Sequence, residues 1–273
     1  MFSEKYGYKQ PKEILYEDVS DNLRRRIWNL FYQKEILERE SDTLDLERVL
    51  GHQETIAEKV ADKFGFLETS AKVKLREFIL YDSEWYEVYD FIDVNLSFLT
   101  GVEKKDRTRQ YNDILEQEKA GYRIILEEVA PITNGSETET IEQAATTQFD
   151  SVNQHISKAL ALYADLKNPD YENSVKESIS AVEAMCCIIT GMSGKQATLG
   201  TALKNLEEHG VHIHKAMENG FNSLYGYASD ENGIRHGGID FKNVPPEDAK
   251  YMLVSCSAFV NYLIEKWSKV ENN

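Results

Sequence analysis

Residues 229–238 read SDENGIRHGG, and this is the one place in the chain where polar side chains concentrate beyond what a turn requires. Arg235 carries a fixed positive charge on a planar fork of donors suited to phosphate. The neighbouring His236 titrates near neutrality and can give or take a proton. An arginine and a histidine on one loop supply what RNA cleavage needs without a metal. A base helps the 2′-hydroxyl attack the adjacent phosphate, a cation stabilises the pentavalent charge, and an acid protonates the leaving 5′-oxygen. Asp230, Glu231, Asn232 and Asp240 stand close enough in sequence to orient the pair. Gly233, Gly237 and Gly238 let backbone or substrate approach closely. Glu183, inside the apolar stretch SAVEAM, needs a partner there, and Arg235 is a candidate for it. Spacing alone leaves a second reading open: a structural loop in which Arg235 pairs with Asp230 or Glu231 and His236 caps a helix.

Other chemistries find less support. There is no GxxxxGK[ST], GxGxxG, GxSxG or HExxH, which argues against a P-loop ATPase, a dinucleotide enzyme, an α/β-hydrolase and a zincin. The histidines of HGVHIH (His209, His212, His214) read as helix-end groups rather than as a metal site. No metal and no cofactor is expected. Arg24, Arg25 and Arg26 spread around a helix and read as a solvated face. Cys186 and Cys187 read as buried, inert thiols on a helical stripe.

The elements that must position these groups are mostly helices. Ser20 precedes a helix whose stripe is Leu23, Ile27, Leu30, Phe31 and Leu37. A second helix runs over 52–64 and breaks at Gly65. The apolar run 70–99 divides near Asp82-Ser83 into two helices, with Trp85, Tyr86, Tyr89 and Phe91 in the core. A further helix covers 102–119, and YRIILEEVAPI (122–132) forms one or two short strands. The polar, threonine-rich stretch 136–150 reads as the boundary, giving domains 1–148 and 149–273. In the second, Phe149, Val152, Ile156, Leu160 and Tyr163 mark one helix. Ser174 and Glu177 form a capping box for the next, which Gly191 ends. Shorter helices follow over 198–209 and 215–227, and Pro245-Pro246-Glu247-Asp248 opens the last. The fold class is therefore mainly all-α, with a helical N-terminal domain that carries a short β-hairpin or strand pair, followed by a helical bundle.

Composition sets the outer bounds. The chain has 273 residues, 31 Lys and Arg against 47 Asp and Glu, and a net charge of -16. Residues 150–273 hold 11 Lys and Arg against 16 Asp and Glu, and residues 1–149 hold 20 against 31. The acid excess argues against a broad nucleic-acid surface but leaves room for a small RNA site in the milder half. Three cysteines, no apolar leader and no long apolar span point to a reducing, cytoplasmic setting away from membranes.

Three segments carry a family resemblance. The opening FSEKYGYKQPKEILYEDVSDNLRRRIWN resembles the N-terminal domain of AbiJ-type abortive-infection proteins of bacteria. NSVKESISAVEAMCCIITG, with LYGYASDENGIRHGG and EDAKYMLVSCSAFVNYLI, is similar to the C-terminal HEPN-type helical domain of the same proteins. The resemblance implies a phage-defence, toxin-like protein whose HEPN-like bundle forms a homodimer through the C-terminal domain. It also implies a metal-independent endoribonuclease site at the dimer interface, and a phage trigger or regulatory protein partner. The family motif is an arginine, a polar residue, and a histidine after three to five more residues. Arg235 and His236 match its first two positions, whereas Asp240, Phe241 and Lys242 occupy the span of the closing histidine. The alternative is a non-catalytic HEPN-like dimer that binds a partner protein, RNA or nucleotide.

Overall fold

The computed structural model describes residues 6, 13–39, 54–67, 70–193, 198–229 and 244–271. These form two compact units, Met1–Thr133 and Asn134–Asn273. The fold is mainly all-α: among the described residues it has eleven α-helices and one two-stranded antiparallel sheet.

In the first unit, helix α1 (Asp21–Phe31) starts where Ser20 accepts the Leu23 N–H at 3.2 Å. Leu23, Ile27, Trp28 and Phe31 are buried along one face. After Phe31 the helix widens into a π-helical turn, Tyr32–Glu38. The extra residue per turn rotates the side chains that follow, so Glu35 and Ile36 turn inward. Leu37, expected on the buried stripe, stands 51 % exposed for the same reason. Helix α2 (Ile56–Lys63) opens with a capping box, Thr55 with Glu58, and Gly65 follows with a left-handed φ of 80°. Helix α3 (Ala71–Glu77) also runs into a π-helical turn, Phe78–Asp82, in which the Ser83 N–H reaches back to the Phe78 carbonyl at 2.8 Å. The break at Asp82-Ser83 falls where the sequence placed it, and α4 (Trp85–Ser97) follows.

Of the four aromatics expected in the core, Tyr89 and Phe91 are buried, and Trp85 stacks on Tyr122 with centroids 5.6 Å apart. Tyr86 is half-exposed, one step around the helix from that stripe. Helix α5 (Gly101–Gln117) is followed by strands β1 (Arg123–Ile125) and β2 (Glu128–Ala130), with Ile124 opposite Val129. Asn112 on α5 holds β1 in place: its amide donates to the Ile124 carbonyl at 2.7 Å and its oxygen accepts the Ile124 N–H at 2.9 Å.

The second unit begins with α6 (Gly135–Ala145), inside the stretch read from sequence as a boundary. Asn134 caps it by accepting the Ser136 N–H, and Ile141, Ala144 and Ala145 are buried. Polar composition concealed a helix whose apolar face is only three residues wide. Four helices make the core: α6, α7 (Asp150–Ala164), α8 (Tyr171–Thr190) and α11 (Pro246–Glu271). Helix α8 packs along both α7 and α11, and α6 packs against α11 and α7. Asn261 on α11 donates to the Thr140 carbonyl on α6 at 3.0 Å.

The capping box expected at Ser174 and Glu177 is not one. Helix α8 starts four residues earlier, with Asp170 accepting the Asn173 N–H at 3.0 Å. Ser174 is buried and donates across to the Ala159 carbonyl of α7 at 2.7 Å. Glu177 bridges to the same helix, meeting Lys158 at 2.5 Å and His155 at 2.6 Å. Gly191 ends α8 with φ 67°, as its position suggested. Two further helices, the short α9 (Leu199–Asn205) and α10 (Lys215–Ser229), complete the unit.

Candidate functional site

Helix α10 ends at Ser229, and Val244 and Pro245 lead into α11. The Arg-His segment is the connection between these two helices. Arg235, His236, Asp230, Glu231, Asn232, Asp240, Gly233, Gly237 and Gly238 all lie outside the described residues. What the structure supplies is the helical frame around the connection and one supporting residue, Glu183. Phe221 on α10 stacks on Phe259 of α11 at an interplanar angle of 18°, which holds the two helices that carry the connection together.

Glu183 sits half-buried on α8 and accepts the backbone N–H of Leu199, the first residue of α9, at 3.1 Å. The carboxylate thus satisfies one free amide of that helix start and meets the positive end of its dipole. Its described partner is this amide. Two thiols lie near the same carboxylate. Burial, and after it the charges of Cys187 and Glu183, push the Cys186 thiol well up. Cys187 is raised by burial and then by Glu183. Cys186 is buried as expected, whereas Cys187 is only half-buried, one step around α8 from the apolar stripe, and a raised thiol disfavours the thiolate in both.

The remaining described histidines are engaged in local roles. His209 Nδ1 lies 3.0 Å from the Asn205 carbonyl, and His212 Nδ1 lies 2.9 Å from Glu207. His214 accepts the Ala216 N–H at 3.2 Å at the start of α10. Among the described residues, no three His, Cys, Asp or Glu side chains gather as a metal-binding group. The arginine run also divides. Arg24 donates to the Ile79 carbonyl and to Ser83, Arg25 stays on its own helix, and Arg26 pairs with Glu118 at 2.8 Å. Sequence periodicity could not separate these three fates, because each depends on which element packs beside α1.

The second unit also has an open groove of about 800 Å³ between α6 and α11, lined by Thr140, Gln143, Phe149, Asn261, Tyr262 and Glu265. Its carboxylate, Glu265, pairs with Lys269 at 2.7 Å. Among the described residues no helix is long and apolar enough to cross a membrane.

Residues 1–147 match the family AbiJ N-terminal domain 4. The chain belongs to this family. That places it among the abortive-infection proteins of phage defence. The family match extends beyond the first compact unit, through α6, to Thr147. No curated protein and no solved structure matches the chain.

Proposed function

We propose that this AbiJ-family chain defends against phage as a metal-independent endoribonuclease of the HEPN type, acting in the cytoplasm as a homodimer. The observation that carries the reading is the pairing of Arg235 with His236 among three glycines, in the connection between two helices of an all-helical C-terminal unit. The abortive-infection N-terminal domain over residues 1–147 supports the defence role.

In the proposed reaction the 2′-oxygen attacks the adjacent phosphorus and the P–O5′ bond breaks. The products are a 2′,3′-cyclic phosphate and a 5′-hydroxyl. Arg235 neutralises charge on the pentavalent phosphorus, and His236 moves the proton. A second protomer supplies another Arg235 and His236, which stands in for the motif's closing histidine. Glu183 supports the connection only through α9, since the backbone of Leu199 is its described partner. A phage component or a regulatory protein would release the activity.

The test is incubation of the purified chain with total RNA in EDTA, beside Arg235→Ala and His236→Ala. The expected result is cleavage with cyclic-phosphate ends, falling at least about a hundredfold in each variant. Equal cleavage by all three proteins would overturn the assignment. One observation favours a second reading, a HEPN-like dimer that binds without cutting: Asp240, Phe241 and Lys242 occupy the place of the closing histidine. That reading expects no cleavage by the wild type, with saturable RNA or nucleotide binding that Arg235→Ala weakens.

A further inference from the structure

The first unit carries a cleft of about 420 Å³ between α1 and α3, each continued by its π-helical turn. One wall presents Arg25, Asn29 and Tyr32, the other Arg76 and Tyr81, and Trp28 lines the cleft between them. Each wall therefore offers one guanidinium and one phenol ring. Tyr32 is 41 % exposed and Tyr81 73 % exposed, although large aromatics gain most from burial. The Trp28 indole is nearly buried and packs on Phe31 and Phe91, which makes a rigid apolar floor.

The charges are equally suggestive. In a half of the chain with a large excess of acid, the Arg76 side chain makes no hydrogen bond or ion pair among the described residues. Arg25 uses Nε on the Asp21 carbonyl at 3.1 Å and Nη2 on Asn22 at 3.2 Å, and its Nη1 has no partner among the described residues. Both cations line the same cleft. The surrounding acid is attenuated by salt over roughly 8 Å, so two guanidiniums in direct contact dominate a small ligand's electrostatics.

The walls are braced in advance. Each π-helical turn is a departure from α geometry of the kind that recurs at functional sites. Arg24 fastens α1 to the second turn by donating to the Ile79 carbonyl at 3.1 Å and to Ser83. A site whose walls are held by a long-range bond loses little entropy on binding.

We propose that this cleft binds a nucleoside phosphate. The base lies against the Tyr32 and Tyr81 rings, Asn29 meets its polar edge, and the phosphate rests between Arg25 and Arg76. The volume falls within the range of about 300–1,000 Å³ typical of small-molecule sites, and the cleft is local rather than a track for a polymer. The site is separate from Arg235 and His236 in sequence and independent of whether they cut RNA. It gives the abortive-infection domain a small-molecule input.

The test is calorimetric titration and thermal unfolding of the full chain with ATP, AMP and adenosine. Saturable binding of ATP and AMP that raises the midpoint is expected, with adenosine at least tenfold weaker. Arg76→Glu should weaken ATP binding at least tenfold and Tyr81→Ala at least fivefold. Because both residues are exposed, their unliganded midpoints should stay within about 2 °C of wild type. Arg25→Glu, on the opposite wall, serves as a second charge reversal should either variant lose its helical circular dichroism. Absence of saturable ATP binding at about 1 mM would overturn the proposal. So would ATP binding unchanged by these substitutions, or adenosine binding as tightly as ATP.

Discussion

Glu35 and Arg107 form an ion pair inside the first unit, with both side chains nearly excluded from solvent. Glu35 reaches that position because the π-helical turn rotates it inward, and Arg107 meets it from α5. Arg39, one turn along, donates to the other oxygen of Glu35 at 2.7 Å and also pairs with Glu103. Removing one partner strands a buried charge, whereas removing both leaves an apolar gap that side chains can fill. Glu35→Leu should therefore cost about 3 kcal/mol in urea unfolding, and adding Arg107→Met should recover part of it. A double variant whose loss equals the sum of the losses in Glu35→Leu and Arg107→Met alone would show that the pair is not coupled.

The hairpin joining β1 and β2 turns through Leu126 and Glu127, whose φ values are 50° and 73°. Positive φ at both central positions suits the twist of a two-residue hairpin, but it is a conformation that glycine adopts without strain. Glu127 is exposed and pairs with Lys104 at 2.6 Å, an exposed bridge of small worth. Glu127→Gly should stabilise the protein by about 0.5–1 kcal/mol. A fall in the thermal midpoint would mean that the Lys104 bridge outweighs the backbone.

Glu177 ties α8 to α7. Burial works to raise its carboxyl, but hydrogen bonds from Lys158 and His155 outweigh it and hold the group below the ordinary carboxylate range. A depressed folded-state value stabilises above the unfolded value of about 4.3 and is lost as pH falls through the folded one. The stability difference between wild type and Glu177→Gln should be about 0.5–1 kcal/mol at pH 6 and should shrink below pH 4. A difference that is flat from pH 6 to pH 3 would rule out the carboxylate as its source.

Glu183 offers a check on the frame of the candidate site. Its oxygen accepts the Leu199 amide at the start of α9. Glu183→Ala should cost about 1 kcal/mol, while Glu183→Gln, which keeps an acceptor, should cost less than half of that. Equal losses in the two variants would point to charge rather than capping.

Much of this protein is written in local spacing. Ser20, Gly65, Ser83 and Gly191 mark helix ends that the structure reproduces, because caps and left-handed stops act within four residues of the chain. The stripe of α7 belongs to the same class. The family of the first 147 residues is likewise legible as a resemblance, while the chemistry proposed for Arg235 and His236 rests on their residue types.

Other features arise only when elements pack. A 3.6-residue period cannot foresee the π-helical turns that bury Glu35, expose Leu37 and shape the Arg25–Arg76 cleft. Ser174 and Glu177 have the sequence of a cap, yet they face α7 and bond across to it. Local patterns determined where helices begin, end and turn, since their energies depend on neighbours in the chain. Tertiary structure decided which polar groups are buried, because the cost of burying charge is met only by partners far away in sequence.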